Sequence, residues 1–181
     1  VAKSKGTEIV TLRKIVHARG EPFAASFRDA LTPGSRQVFD GVTAMSWVPV
    51  EDFSRLLAET AAALFPGEKD GLQRLGQAIA RDNLTGIYKI LLKVTTVPFV
   101  LTQVSKLWTT YNDTGKARVL QDGRPHRAEI IVEEFPGLPL PLAAETAGFM
   151  AGACEVCGGQ GVRVEYDSPS PSTHRWTCTW D

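Results

Sequence analysis

The sequence is poor in the residues from which the most recognisable functional signatures are built. Its 181 residues hold three cysteines and three histidines. So few cysteines, and an odd number, exclude a secreted disulfide scaffold and point to a reducing compartment, so the cytoplasm is the expected location. Excess charge is lacking too: 20 basic residues balance 20 acidic ones. A neutral chain has no electrostatic footprint for nucleic acid or an anionic membrane surface. The most apolar run, "VPFVL", falls far short of the ~20 residues that cross a bilayer, so no membrane span is expected. The opening "VAKSKGTEIVTLRK" has no long apolar core and is not a signal peptide. No G-x-S-x-G, H-E-x-x-H or P-loop pattern occurs. What is present is apolar substance: 43% of the residues are hydrophobic, which excludes general disorder and suffices for one core.

The first half has helical periodicity. In "TEIVTLRKIVHARG", Ile9, Leu12, Ile15 and Val16 fall on one face, and Gly20 stops the run. "EPFAASFRDAL" repeats the pattern with Pro22 near its start, and "TPGSRQVFDG" reads as a turn or short helix. The clearest helix is "VEDFSRLLAETAAALFPG", with Glu51 and Asp52 in its first turn and Pro66-Gly67 at its end. "DGLQRLGQAIARDN", "LTGIYKILLKV" and "PFVLTQVSKLWTTYND" continue the series. The pattern then changes. Asp122-Gly123 is a hairpin-turn dipeptide between two strand-like runs. "PLPLAAETAGFMAGACEVCGG" is a helix ended by Gly158 and Gly159, and "GVRVEYDSPSPSTHRWTCTW" is a second hairpin with a mobile "DSPSPS" loop. The expected fold is α+β, in one domain over 1–181. A helical part, about 7–113, packs on a part of about 115–181 in the order strand–strand–helix–strand–strand, with a four-stranded, mainly antiparallel sheet.

Cys154, Cys157, His174 and Cys178 form a C-x-x-C…H-x-x-x-C array with three readings. Zinc would need all its ligand atoms within about 2.3 Å of the metal. If "THRWTCTW" is a strand, the His174 and Cys178 Cα atoms lie roughly 13 Å apart, which opposes convergence. A redox pair would sit at a helix N-terminus, and this one ends a helix. Core packing is the simplest account, because His174, Trp176, Cys178 and Trp180 alternate onto one aromatic face. Zinc remains the alternative if His174 and Cys178 are not both in a regular strand.

Other chemistry is sparse. His17 and His126 belong at surfaces. Glu133 and Glu134 are strand neighbours that point to opposite faces, so they cannot act together on one substrate. "GGQG" ends a helix, whereas phosphate loops open one. Trp47, Tyr88, Trp108 and Tyr111 are the candidate ligand-binding residues, able to line a pocket between the helices and the sheet or simply to fill it as core.

"SWVPVEDFSRLL", "LQRLGQAIARDNLTGIYKILLK", "LWTTYNDTGKARV" and "AGFMAGACEVCGGQGVRVEY…TCTW" together resemble a paralogous family of about two hundred residues, expanded in myxobacteria and without a settled function. The likeness covers most of the chain. It rests on Trp47 and Pro49, Leu75-Gly76, Trp108 and Tyr111, Gly148 and Gly152, and Trp180. More distantly, the element order resembles the haem-nitric-oxide-binding (H-NOX-like) fold, the vinyl-reductase-type small-ligand modules and their relatives among transport-particle subunits. That resemblance implies a pocket between helices and sheet. The haem version departs from this sequence: 70–113 contain no histidine, and the tyrosine–serine–arginine motif for haem propionates is missing.

The expectation is therefore a cytoplasmic, non-enzymatic bacterial signalling module. It needs no cofactor, and haem in particular is not expected. It would bind a small apolar ligand or a protein partner, and a homodimer is compatible with it. The alternative is a zinc domain built on Cys154, Cys157, Cys178 and His174.

Overall fold

A computed structural model describes residues 1–85, 96–121 and 123–181. It has the expected mixed character. A short strand β1 (Lys3–Lys5) leads into α1 (Thr7–His17), α2 (Glu21–Ala30) and α3 (Pro33–Gly41). A second short strand, β2 (Trp47–Pro49), precedes α4 (Val50–Leu64) and α5 (Gly71–Thr85). After the undescribed stretch come α6 (Val97–Thr102) and α7 (Val104–Tyr111). The last part is β3 (Lys116–Leu120), β4 (Arg127–Glu133), α8 (Leu140–Val156), β5 (Arg163–Ser170) and β6 (Thr173–Thr179).

Burial follows the periodicity. In α1 the buried side chains include Ile9, Leu12 and Val16; in α4 they include Phe53, Leu56, Leu57, Ala61 and Leu64. Glu51 and Asp52 lie in the first turn of α4, where carboxylates complement the helix dipole. The pair β1–β2 has no counterpart in the sequence reading, because three-residue strands leave no period to detect. It is antiparallel, with Ser4 opposite Val48. It ties the chain start to the entry of α4.

The larger sheet has the order β3-β4-β6-β5 and is antiparallel throughout. Ile130 stands opposite Trp176, which stands opposite Tyr166; Ala128 stands opposite Cys178. On this face Ala128, Ile130, Trp176 and Cys178 are buried and Tyr166 is half-buried, and α8 packs against it. The expected mobile loop after Tyr166 is instead strand: β5 runs to Ser170, with a register irregularity between Asp167 and Ser170, and the turn is confined to Pro171–Ser172. The bulge absorbs the residues that made the segment look like a loop. The expected single helix after Val97 is broken at Gln103, and within α7 only Trp108 is buried.

Helix α8 packs most closely against α5, backbone against backbone. A methyl group at Gly76 would overlap the Glu145 carbonyl oxygen, and one at Gly148 would overlap the Gln73 carbonyl oxygen. Only glycine allows this approach, at a cost in helix propensity that the packing offsets. At its far end α8 closes with Gly158 in the left-handed region at φ +90°. Gly158 N–H donates to the Glu155 oxygen and Gly159 N–H to the Cys154 oxygen, at 3.0 and 2.9 Å. These are the two bonds of a Schellman cap. The cysteine pair thus closes a helix, as the sequence implied.

Candidate functional site

Between the helical half and α8 lies a cavity of about 100 Å³. Its wall is predominantly apolar. Helix α6 supplies Val100 and Leu101, α7 supplies Val104, Leu107, Trp108 and Tyr111, and α8 supplies Leu142, Phe149, Met150 and Cys154. Polar groups enter from the chain start (Ser4, Glu8), from the end of α7 (Asn112) and from the second turn of α8 (Glu145, Thr146).

Local structure holds these groups in place. Ser4 is buried in β1, and its hydroxyl donates to Asn112 Oδ1 at 2.9 Å. This bond joins the chain start to the end of α7. Glu8, in the first turn of α1, follows at the cavity wall. Trp108 donates its indole N–H to the Thr114 oxygen at 2.9 Å and packs edge-on against Phe135. Its ring is therefore a fixed part of the wall.

Glu145 is the anomalous residue. It is only 1% exposed, and its Oε1 has no hydrogen-bond partner among the described residues. Burial raises its pKa well above the usual carboxyl range, and the charge of Glu8 adds to the effect. Glu8 itself is pushed up to about 7 by burial. Two acids thus share one apolar chamber. Neither was singled out from the sequence. The available signal was one glutamate inside the run "PLPLAAETAGFMAGA", an acid in a stretch otherwise made of small and apolar residues.

The candidate residues distribute unevenly. Trp108 and Tyr111 line the cavity. Trp47 does not: it stands on β2, 41% exposed, with the Lys5 ammonium 4.6 Å from its ring centre. A three-residue edge strand points it to solvent. Tyr88 lies outside the described residues.

The cysteine–histidine array does not converge. His174 and Cys178 share strand β6, and both His174 nitrogens are engaged. Nε2 lies 2.8 Å from the Phe135 oxygen and Nδ1 2.9 Å from the Tyr166 hydroxyl. Cys154 and Cys178 approach to 3.8 Å between sulfurs, both buried, and Cys157 is half-buried. Among the described residues no group of three or more His, Cys, Asp or Glu could hold a metal ion. The zinc alternative is not supported. The Cys154 thiol is pushed up by its contact with Cys178 and by burial, so it stays protonated. No helix among the described residues is long and apolar enough to cross a membrane.

The chain belongs to the family described as "Protein of unknown function (DUF2378)", whose model matches residues 12–181. No curated protein matches the chain. Among solved structures it is similar to the Fe(II) unliganded H-NOX protein from K. algicida, with a TM-score of 0.67 at 11% identity over 98% of this chain and 96% of that one. It is also similar to the H-NOX protein from S. oneidensis in the Fe(II)NO ligation state, with a TM-score of 0.68 at 11% identity over 98% and 99%. A third structure, described as probing haem distortion in the H-NOX family, gives a TM-score of 0.68 at 9% identity over 98% and 95%. At these identities the likeness establishes the fold: this is an H-NOX-like α+β chain.

The residues present do not fit a haem. Cofactor-sized sites span roughly 300–1,000 Å³, and this cavity is about 100 Å³. No histidine is among its described lining residues, and 70–113 contain none. The described wall also offers two acids and no Lys or Arg to meet haem carboxylates.

Proposed function

We propose that this chain is a non-enzymatic binding module that holds a small, largely apolar molecule in the cavity between its helical half and α8, in the manner of a sensor domain. The cavity carries the reading. Its volume of about 100 Å³ approaches the roughly 150 Å³ of apolar cavities that take benzene or xenon. Its lining comes from both halves of the chain, β1 through α7 on one side and α8 on the other. Helix α8 is also packed on the sheet, where the Trp176 indole N–H donates to the Ala143 oxygen at 3.0 Å. A ligand between α7 and α8 would therefore press on an element that reports to the sheet. The H-NOX-like fold supports the reading by analogy.

The test is native mass spectrometry of the purified protein, followed by an amide-resonance titration with toluene. A retained small molecule, or saturable shifts centred on Leu142, Phe149 and Trp108, is the expected outcome. A cavity that takes neither would leave the protein-interaction role as the remaining reading.

A further inference from the structure

The described wall of the cavity carries acids and no base. Glu145, 1% exposed, has one carboxyl oxygen without a partner among the described residues. Glu8 faces the same space from α1. A carboxyl group buried without a counter-charge is costly, and a core position would be better served by leucine or glutamine. Around it stand apolar and aromatic surfaces, Leu142, Trp108 and Phe149. An anionic ligand would meet repulsion here. A neutral hydrocarbon would leave the Glu145 oxygen unsatisfied. A cation supplies what the site lacks, because it pairs with the carboxylate and is attracted to aromatic faces.

We propose that the cavity binds a small organic cation, an ammonium group on a benzene-sized apolar body, with its nitrogen held by Glu145 and its body against Trp108, Phe149 and Leu142. This rests on the cavity being a ligand site and names the chemistry of its ligand. Among the described residues, the other titratable groups lining the cavity with Glu145 are Glu8 from α1, Tyr111 from α7 and Cys154 from its own helix. From α5 the facing position is Gly76. In the free protein burial raises Glu145 well above the usual carboxyl range and so favours its protonated form. The incoming ammonium stabilises the carboxylate, so binding releases the carboxyl proton to solvent. The ammonium keeps its own protons.

The experiment compares benzylamine, benzyl alcohol, toluene and benzoate by calorimetry and amide-resonance titration at pH 7, the calorimetry in two buffers of different ionisation enthalpy. Benzylamine is expected to bind at least tenfold more tightly than toluene or benzyl alcohol, with proton release, and benzoate not at all. Glu145→Gln is expected to bring benzylamine down to the affinity of toluene while toluene binding persists. Glu8→Gln, at a partly exposed position, carries the same test with a smaller loss should Glu145→Gln not fold. Toluene binding as tightly as benzylamine to the unmodified protein would overturn the cation proposal and leave the cavity reading standing. No binding of any of the four would overturn both.

Discussion

The Gly148 backbone rests on the Gln73 carbonyl group so closely that a single methyl at Gly148 has no room. This contact sets the distance between α5 and α8, and with Gly76 it fixes where Glu145 sits. Gly148→Ala is therefore expected to destabilise, although alanine is the better helix former by about 1 kcal/mol. Overpacking against backbone that cannot rotate away costs roughly 1–3 kcal/mol or more. Gly41→Ala is the control, since a methyl there meets nothing within 4 Å. Urea unfolding followed by circular dichroism should show a lower midpoint for Gly148→Ala and an unchanged or higher one for Gly41→Ala. Equal midpoints would mean that the two helices can separate without loss.

The same contact explains part of what the sequence could and could not convey. The helices of the first half were legible because Ile9, Leu12 and Val16, or Phe53, Leu57 and Leu64, repeat at helical spacing. The final hairpins were legible because Trp176 and Cys178 alternate with Arg175 and Thr177. Gly76 and Gly148 stood out as residues, but their meaning needed the partner helix. Strands β1 and β2 are too short to have a period. The extent of β5 was hidden by Pro169 and Pro171, whose positions at a sheet edge and a turn cost the ladder little. At the candidate site, Trp108 and Tyr111 were recoverable as aromatic residues near a helix end. Glu145 was not, because its significance lies in what is missing around it.

Trp176 is fully buried at the centre of the sheet and holds α8 through Ala143. Trp176→Phe keeps an aromatic ring but removes the indole N–H and leaves a void beside Trp108 and Tyr166. The expected loss is about 2 kcal/mol, from one hydrogen bond and a small cavity. Denaturant unfolding measures it. A change below a few tenths would show that the Ala143 bond contributes little.

The three thiols should separate by burial. Cys154 and Cys178 are buried with their sulfurs 3.8 Å apart, whereas Cys157 is half-buried at the helix end. Burial also raises the Cys157 thiol, so it reacts more slowly than a free cysteine. An aromatic disulfide reagent under native conditions should modify one thiol, and Cys157→Ser should abolish that phase. In denaturant all three should react. Two fast thiols in the native protein would mean that α8 opens readily from β6.

The acid pair gives stability an unusual pH dependence. Unfolded, Glu8 and Glu145 titrate near 4.5; folded, Glu8 is raised to about 7 and Glu145 is raised too. Between those values the native state binds more protons than the unfolded state, so stability falls as pH rises from about 4.5 to 7. The carboxylates held low by cations act in a different window. Asp40 beside Arg28 and Asp167 beside Arg175 have folded values below 3.8 and give up their stabilisation only in stronger acid. The protein should therefore be more stable at pH 5 than at pH 8, by about 2 kcal/mol from Glu8 after allowing for its partial exposure, with Glu145 adding in the same sense. Glu145→Gln removes one of the two charges and relieves the other. It should raise the urea midpoint at pH 8, change it little at pH 5, and so flatten the difference between them. An unchanged difference would show that Glu145 is already ionised and matched in the folded chain.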